Sequence, residues 1–125
     1  MPRLLFVDND RKMCEVMKEY LSWNGFEVAV LNSNAQVLDE LLNNEYDLLL
    51  YNIIMERGGF ELCRKLRNSD SPKLSRTGIL IFTPEPLEFE DYITLRQLEL
   101  YFIDKYADIE EWINKISLIL RKIRE

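Results

Sequence analysis

Short, uniformly apolar runs alternate along the chain with segments whose apolar residues recur every three or four positions. The runs predict strands at 3–7, 26–31, 47–54, 79–82 and 101–103. Runs of this kind are typical of parallel strands that are covered on both faces. The first intervening segment predicts an amphipathic helix with its apolar stripe at Met13, Val16, Met17, Tyr20 and Leu21.

Capping signals place the ends of the first two helices. Asn9 or Asp10 is expected to cap the first helix, and 24–25 (Asn-Gly) to end it. Residues 33–36 (Ser-Asn-Ala-Gln) have the form of a capping box that opens a second helix. The side chains of that helix expected to point inward are Val37, Leu38, Leu41 and Leu42.

Further helices are predicted at 60–67, around 89–98, and from Asp108 onward, where Glu111 completes a capping box. The polar stretch 68–72 is expected to end the third helix. Five strands that alternate with five helices imply right-handed crossovers and a parallel sheet. The predicted fold is therefore an α/β protein, a three-layer α/β/α sandwich forming one domain over 1–125.

Composition removes several classes of function. The 125 residues carry a net charge of −6, which argues against binding to nucleic acid or anionic lipid. The sequence has no His, which excludes Ser/His and Cys/His hydrolases and the usual zinc sites. Cys14 and Cys63 fall in apolar helical patterns and are expected to be reduced core thiols. With no apolar run long enough for a membrane span, a cytoplasmic protein is expected.

Polar residues stand where the predicted strands end: Asp8, Asn9, Asn52, Thr83 and Lys105. The carboxyl ends of parallel strands share one edge of the sheet, which is where such folds bind ligands. Asn52 is the most informative because it interrupts the apolar run 48–55, where a buried amide must find hydrogen-bond partners. We expect these side chains to converge.

Five segments in order resemble the receiver domains of two-component response regulators: 4–10, 47–55, 59–62, 80–83 and 102–105. The resemblance covers nearly the whole chain. It implies a flavodoxin-like fold with a five-stranded sheet in the order 2-1-3-4-5, and a role in phosphorelay signalling.

Six positions match the family's phosphorylation site: Asp8, Asn9, Asn52, Thr83, Phe102 and Lys105. In the family, the first two form an acidic pair that binds Mg²⁺, and the third is the aspartate that accepts the phosphoryl group. The Thr and Lys contact that group, and an aromatic residue at the fifth position takes part in switching.

Two of the family's carboxylates are replaced here by Asn9 and Asn52. Attack on phosphorus needs an anionic oxygen, and Mg²⁺ is held mainly by such oxygens. Asp10 and Glu56 are candidate substitutes, although Asp10 is better placed to cap the first helix. We therefore expect no cofactor and no enzymatic activity, with Asp8 at most contributing a metal ligand.

Two further departures concern the backbone. The loop 55–59 lacks the family's Pro and is shorter. Tyr106 replaces a Pro that follows a cis bond in the family, so the peptide bond before Tyr106 is expected to be trans. Lys105 is expected to form a fixed ion pair with Asp8, direct or bridged by Asn52, in place of a switch.

The expected function is that of a pseudo-receiver, which signals through protein contacts and not through phosphorylation. Its expected docking surface is the fourth helix, fifth strand and fifth helix, and a homodimer is a second expectation. Apolar residues there do not keep to one stripe, which predicts exposed apolar area unless the segment is irregular and packs inward: Phe89, Tyr92, Ile93, Leu95, Leu98 and Leu100.

Two alternatives stay open. One is a conventional phosphoacceptor that uses Asp8 or another carboxylate. The other is a sensor of a small anion or nucleotide, built from Asn9, Asn52, Thr83 and Lys105.

Overall fold

A single parallel sheet runs through the computed structural model, which describes residues 1–55 and 59–124. Its strands are β1 (Arg3–Val7), β2 (Glu27–Leu31), β3 (Leu48–Asn52), β4 (Ile79–Thr83) and β5 (Tyr101–Asp104). Their order is β2-β1-β3-β4-β5, and every neighbouring pair is parallel. The predicted sheet order is confirmed.

The described ranges contain six helices: α1 (Arg11–Trp23), α2 (Val37–Asn43), α3 (Glu61–Arg67), α4 (Pro72–Ser75), α5 (Phe89–Gln97) and α6 (Ile109–Arg124). The five with seven or more residues are the five that the sequence predicts. The short α4 is not predicted from the sequence. It begins at the last residue of the polar stretch 68–72. Pro72 explains it, because proline suits the first position of a helix.

The central strands β1, β3 and β4 are buried on both faces, and each face of the sheet has its own core. One face packs against α1 and α6, with Phe6, Phe82 and Trp112 forming an aromatic cluster at its centre. The other face packs against α2, α3, α4 and α5 through residues such as Leu41 and Leu66. This is the predicted three-layer arrangement, and its uniformly apolar strands follow from the double coverage.

The ends of α1 agree with the sequence prediction. The side chain of Asp10 accepts a hydrogen bond from the Met13 N–H at 3.1 Å, so Asp10 is the N-cap. Gly25 has a φ of 91°, a left-handed conformation that glycine adopts without strain. The Phe26 N–H then reaches back to the Leu21 carbonyl at 3.1 Å, which closes the helix in a Schellman motif. At the other end of the chain, the Asp108 cap is confirmed in the same way.

Three local predictions are wrong. The capping box at 33–36 does not form, because α2 begins after Gln36 and that residue makes no side-chain cap bond. Leu42 is exposed, because it lies about 100° around α2 from the buried Leu41 and so faces away from the sheet. The third strand stops at Asn52, and 53–55 form a 3₁₀ turn that carries the chain away from the sheet.

Other predictions about the backbone and thiols hold. The described residues contain no cis peptide bond, so the bond before Tyr106 is trans. Cys14 and Cys63 are buried thiols that form no disulfide, and they lie on opposite faces of the sheet. Within the described ranges, no helix combines the length and apolarity needed to cross a bilayer.

Candidate functional site

Four polar side chains are buried among the described residues, and all four lie at the carboxyl edge of the sheet: Asp8, Asn52, Thr83 and Lys105. Each ends or directly follows a strand, so the parallel topology brings them to one place. Asn9 is the exception, since its side chain is exposed to solvent. Of the five candidate residues, the structure therefore brings four together.

Asp8 lies at the centre of this group and is fully buried. Its Oδ1 accepts hydrogen bonds from the Asp10 N–H at 3.1 Å and from Asn52 Nδ2 at 3.0 Å. Its Oδ2 lies 3.0 Å from Lys105 Nζ. Both carboxylate oxygens are thus engaged by groups of the protein itself, as a buried charge requires.

Lys105 has two anionic partners. Besides Asp8, its ammonium lies 3.4 Å from Asp10 Oδ2, a contact that the sequence analysis does not predict. Burial by itself would lower the pKa of Lys105, but the close contact with the Asp8 carboxylate and the charges of Asp8 and Asp10 outweigh burial and raise this pKa. Lys105 therefore keeps its positive charge at neutral pH, and the expected direct Asp8–Lys105 pair is present.

Asp10 serves the site and α1 at once. The hydrogen bond from the Met13 N–H lowers the pKa of Asp10, burial opposes this, and the charge of Lys105 lowers it further. The carboxyl group thus stays ionised at neutral pH. It also remains about half exposed, unlike Asp8.

The amide of Asn52 is held at both ends. Its Nδ2 donates to Asp8, and its Oδ1 accepts from the Ile54 N–H at 3.1 Å. The 3₁₀ turn at 53–55, directly after β3, places that N–H within reach of the amide oxygen. The predicted need of a buried amide for partners is met in this way.

One residue of the site is missed by the sequence analysis. Asn32 follows β2 directly, and its Nδ2 donates to the main-chain carbonyl of Asp8 at 3.1 Å. The Cys14 thiol donates to the same carbonyl at 3.2 Å. Burial raises the pKa of this thiol to about 11, so it stays protonated as a donor. The rule that singles out strand ends, applied to β2, would have found Asn32.

Thr83 ends β4 and Phe102 lies within β5, and neither side chain bonds to the ion pair in the described structure. The hydroxyl oxygen of Thr83 accepts from the Glu85 N–H at 3.2 Å, and its carbonyl accepts from the Lys105 N–H at 3.0 Å. Phe102 is partly buried on β5 and packs towards the α2–α5 face.

The residues of this edge do not fit Mg²⁺. The described residues contain no group of three or more side chains arranged to hold a metal ion. Asp8 is fully buried and paired with Lys105, so a cation would have to displace an ammonium that already neutralises it. Glu56, the other candidate substitute, lies outside the described residues, and so does most of the shortened loop 55–59.

A five-stranded sheet of this order, with helices on both faces and a polar cluster at the carboxyl edge, defines a flavodoxin-like α/β domain. Residues 4–117 match the model of the response regulator receiver domain family. The chain belongs to this family. It is a receiver domain of two-component signalling, and receiver domains are signalling modules that interact with proteins such as kinases and effector domains.

Curated relatives match this chain over nearly its whole length. Response regulator MprA of Mycobacterium sp. (strain KMS) is 30% identical over 123 residues, which cover 96% of this chain and 51% of the relative. Transcriptional regulatory protein CpxR of Escherichia coli (strain K12) is 29% identical, with 98% and 50% covered. The chain therefore spans about half the length of the curated relatives that it matches.

Solved structures agree on the fold. A CheY-like receiver domain protein from Methanospirillum hungatei JF-1 has a TM-score of 0.86 at 21% identity, covering 99% of this chain and 97% of the other. A two-component response regulator from Clostridium difficile has a TM-score of 0.85 at 23% identity, with both chains fully covered.

Proposed function

We propose that this receiver domain works without aspartyl phosphorylation and signals by binding a protein partner. The observation that supports this best is the side chain of Asn52 at the family's acceptor position. A carboxamide has no anionic oxygen to attack phosphorus, and here its oxygen and nitrogen are both engaged. No described carboxylate takes over its position in β3.

The charge balance of the site supports the same proposal. Lys105 is a fixed cation between Asp8 and Asp10, with Nζ–O distances of 3.0 and 3.4 Å. In this proposal the ammonium takes the charge-balancing role that Mg²⁺ has in the family. The charges of the site are then balanced without metal, and the ion pair holds the domain in one conformation.

The two alternatives find less support. Asp8 is a poor phosphoacceptor because it is fully buried with both oxygens engaged. A small anion at this edge would need Lys105, whose charge already faces two carboxylates. Asp10 is the exposed carboxylate of the site. A phosphorylation test must therefore examine Asp10.

Incubation of the protein with acetyl phosphate and Mg²⁺ should leave its intact mass unchanged. The reason is that neither Asn52 nor the paired Asp8 offers a free anionic nucleophile. Mass spectrometry of the intact chain makes the measurement. A gain of one phosphoryl group that survives Asn52→Ala and disappears in Asp10→Asn would overturn the proposal in favour of a conventional phosphoacceptor.

The proposed docking surface is the α5–β5–α6 face, defined here by the exposed residues of α5, β5 and the adjoining side of α6. Phe89, Tyr92 and Ile93 of α5 are 75%, 54% and 45% exposed, while Leu95 and Leu98 pack inward. The segment is thus helical over 89–97 and not irregular. It has the expected exposed apolar area, and some of its leucines pack inward. Beside α5, a groove of about 470 Å³ between β5 and α6 is lined by residues that include Phe102 and Leu118.

The charge of this face indicates its partner. Among α5, its N-cap residue and the lining of the groove, the cations are Arg96 and Lys115, and the acidic residues are more numerous: Glu88, Glu90, Asp91, Asp104 and Glu111. A second copy of the chain would bring like charges together. We therefore infer a partner protein with a basic segment that carries apolar side chains, since complementary charge favours encounter and apolar anchors supply the affinity.

Phe89→Ser combined with Tyr92→Ser should weaken partner binding at least about tenfold, because each exposed aromatic is the kind of anchor that dominates interfaces. The assay is capture on the tagged chain, followed by competition with a synthetic peptide of the captured protein's basic segment. Trp23→Ser, which removes an aromatic that is 70% exposed on α1, is the matched control and should bind like the wild type. A dimer seen by light scattering and abolished by the double substitution would instead show self-association, contrary to the inference.

A further inference from the structure

A cavity of about 550 Å³ lies at the edge of the sheet opposite the Asp8–Lys105 site. Its lining includes Gly78 and Leu100, which directly precede β4 and β5, so it opens at the amino-terminal ends of these strands. Three arginines line it, Arg67, Arg76 and Arg96, against the single carboxylate of Glu99. In a chain of net charge −6, such a concentration of cations is unexpected.

Arg67 is held rigidly beside this cavity. Its Nε donates to the Leu98 carbonyl at 2.7 Å, and its Nη1 donates to the carbonyls of Thr77 at 2.6 Å and Ser75 at 3.1 Å. Its Nη2 donates to the Glu99 carbonyl at 3.2 Å. Four neutral carbonyls fix the orientation of the guanidinium without neutralising its charge.

Glu99 is the one described carboxylate in the lining of this cavity, and it forms no ion pair with the arginines. None of the three arginines forms an ion pair with a described carboxylate, unlike Lys105 at the other edge. Burial lowers the pKa of Arg67, which reflects the cost of holding that charge away from water. A group with negative charge would relieve this cost.

Another part of the lining is apolar and shaped by packing. Leu95, Leu100, Tyr101 and Ile123 contribute hydrocarbon surface. A Cβ on Gly78 would lie 2.6 Å from Ile123 Cδ1, so the glycine is what allows the last turns of α6 to close one side of the cavity. The cavity therefore combines cationic and apolar walls.

We propose that this cavity binds a small organic anion, in which a phosphate or carboxylate group is carried on an apolar body. The anionic group lies against Arg76 and Arg96, within the field of Arg67, and the body packs on Leu100 and Tyr101. The volume is in the range of small-molecule sites, about 300–1,000 Å³. The anion-sensor alternative, which finds little support at the Lys105 edge, thus has a better site at the opposite one.

Titration of the ¹⁵N-labelled protein, followed by amide chemical shifts, tests the proposal with phenyl phosphate and benzoate as probes and phenol as their uncharged counterpart. At least one anion should bind saturably, with shifts centred on 75–78 and 95–101. Whichever of the two binds more tightly identifies the preferred anionic group. Phenol should bind at least about tenfold more weakly, because it lacks the charge that the arginines recognise.

Two double variants separate the cavity from general charge effects. Arg76→Gln with Arg96→Gln should weaken binding at least about tenfold, since it removes two charge-assisted contacts. Arg11→Gln with Arg64→Gln removes the same charge from exposed positions outside the cavity and should leave binding unchanged. No saturable binding of either anion below about 20 mM, equal affinity for phenol, or equal weakening in both variants would each overturn the proposal.

Discussion

Lys105→Met should lower the free energy of unfolding by about 3–5 kcal/mol, because it leaves the Asp8 charge buried without a counter-ion. Asp8 is 0% exposed and Lys105 is 6% exposed, so water cannot replace the lost ammonium. Urea unfolding followed by circular dichroism measures the effect. The matched control is Lys12→Met, whose lysine is exposed on α1 and whose loss should change the free energy of unfolding by less than about 0.5 kcal/mol.

The pH dependence sharpens this test. The folded-state pKa of Lys105 is raised, so the contribution of its charge to stability is complete below the ordinary lysine pKa of about 10.4. It is lost only as the pH rises through the raised pKa. The stability difference between wild type and Lys105→Met should therefore be as large at pH 9 as at pH 7. Equal effects of the two substitutions would show that Lys105 is solvated and that the cluster has no structural role.

The sheet and the centre of the site could be predicted from the sequence for a simple reason. Strands that are covered on both faces must be apolar throughout, so the polar residue that ends each one is conspicuous. Asp8, Asn52, Thr83 and Lys105 all stand at such ends, and the parallel order of the strands then determines that they meet. Asn52 is the clearest case, since a buried amide requires partners.

Contacts that depend on side-chain reach or on loops could not be predicted. Asp10 and Lys105 are 95 positions apart, and their contact depends on how far a flexible lysine extends past Asp8. The carbonyls that hold Arg67 lie at or just beyond the ends of α4 and α5, where backbone groups are placed without any pattern of side chains. At α2, the Ser-Asn-Ala-Gln segment has the residues of a capping box, but the helix starts later than that signal.

Asn9→Asp combined with Asn52→Asp should create a Mg²⁺ site that is stronger than any in the wild type. With Asp8 and Asp10, the variant has four carboxylates at one edge of the sheet, where their charge exceeds what Lys105 alone can neutralise. We expect Mg²⁺ affinity to rise at least about tenfold above any binding by the wild type, as measured by calorimetry. The variant should also gain one phosphoryl group from acetyl phosphate, because the carboxylate introduced by Asn52→Asp would supply the missing anionic nucleophile.

The same variant should be less stable than the wild type when metal is absent. The carboxylate introduced by Asn52→Asp lies beside the buried Asp8, and the repulsion between the two charges costs about 1–3 kcal/mol in the free energy of unfolding at neutral pH. Added Mg²⁺ should restore this loss. Gln97→Glu with Asn114→Asp adds the same charge at exposed positions away from the site and should show neither effect. If the wild type binds Mg²⁺ as tightly as the double variant, Lys105 does not take the place of the metal, and the electrostatic basis of the proposed function is wrong.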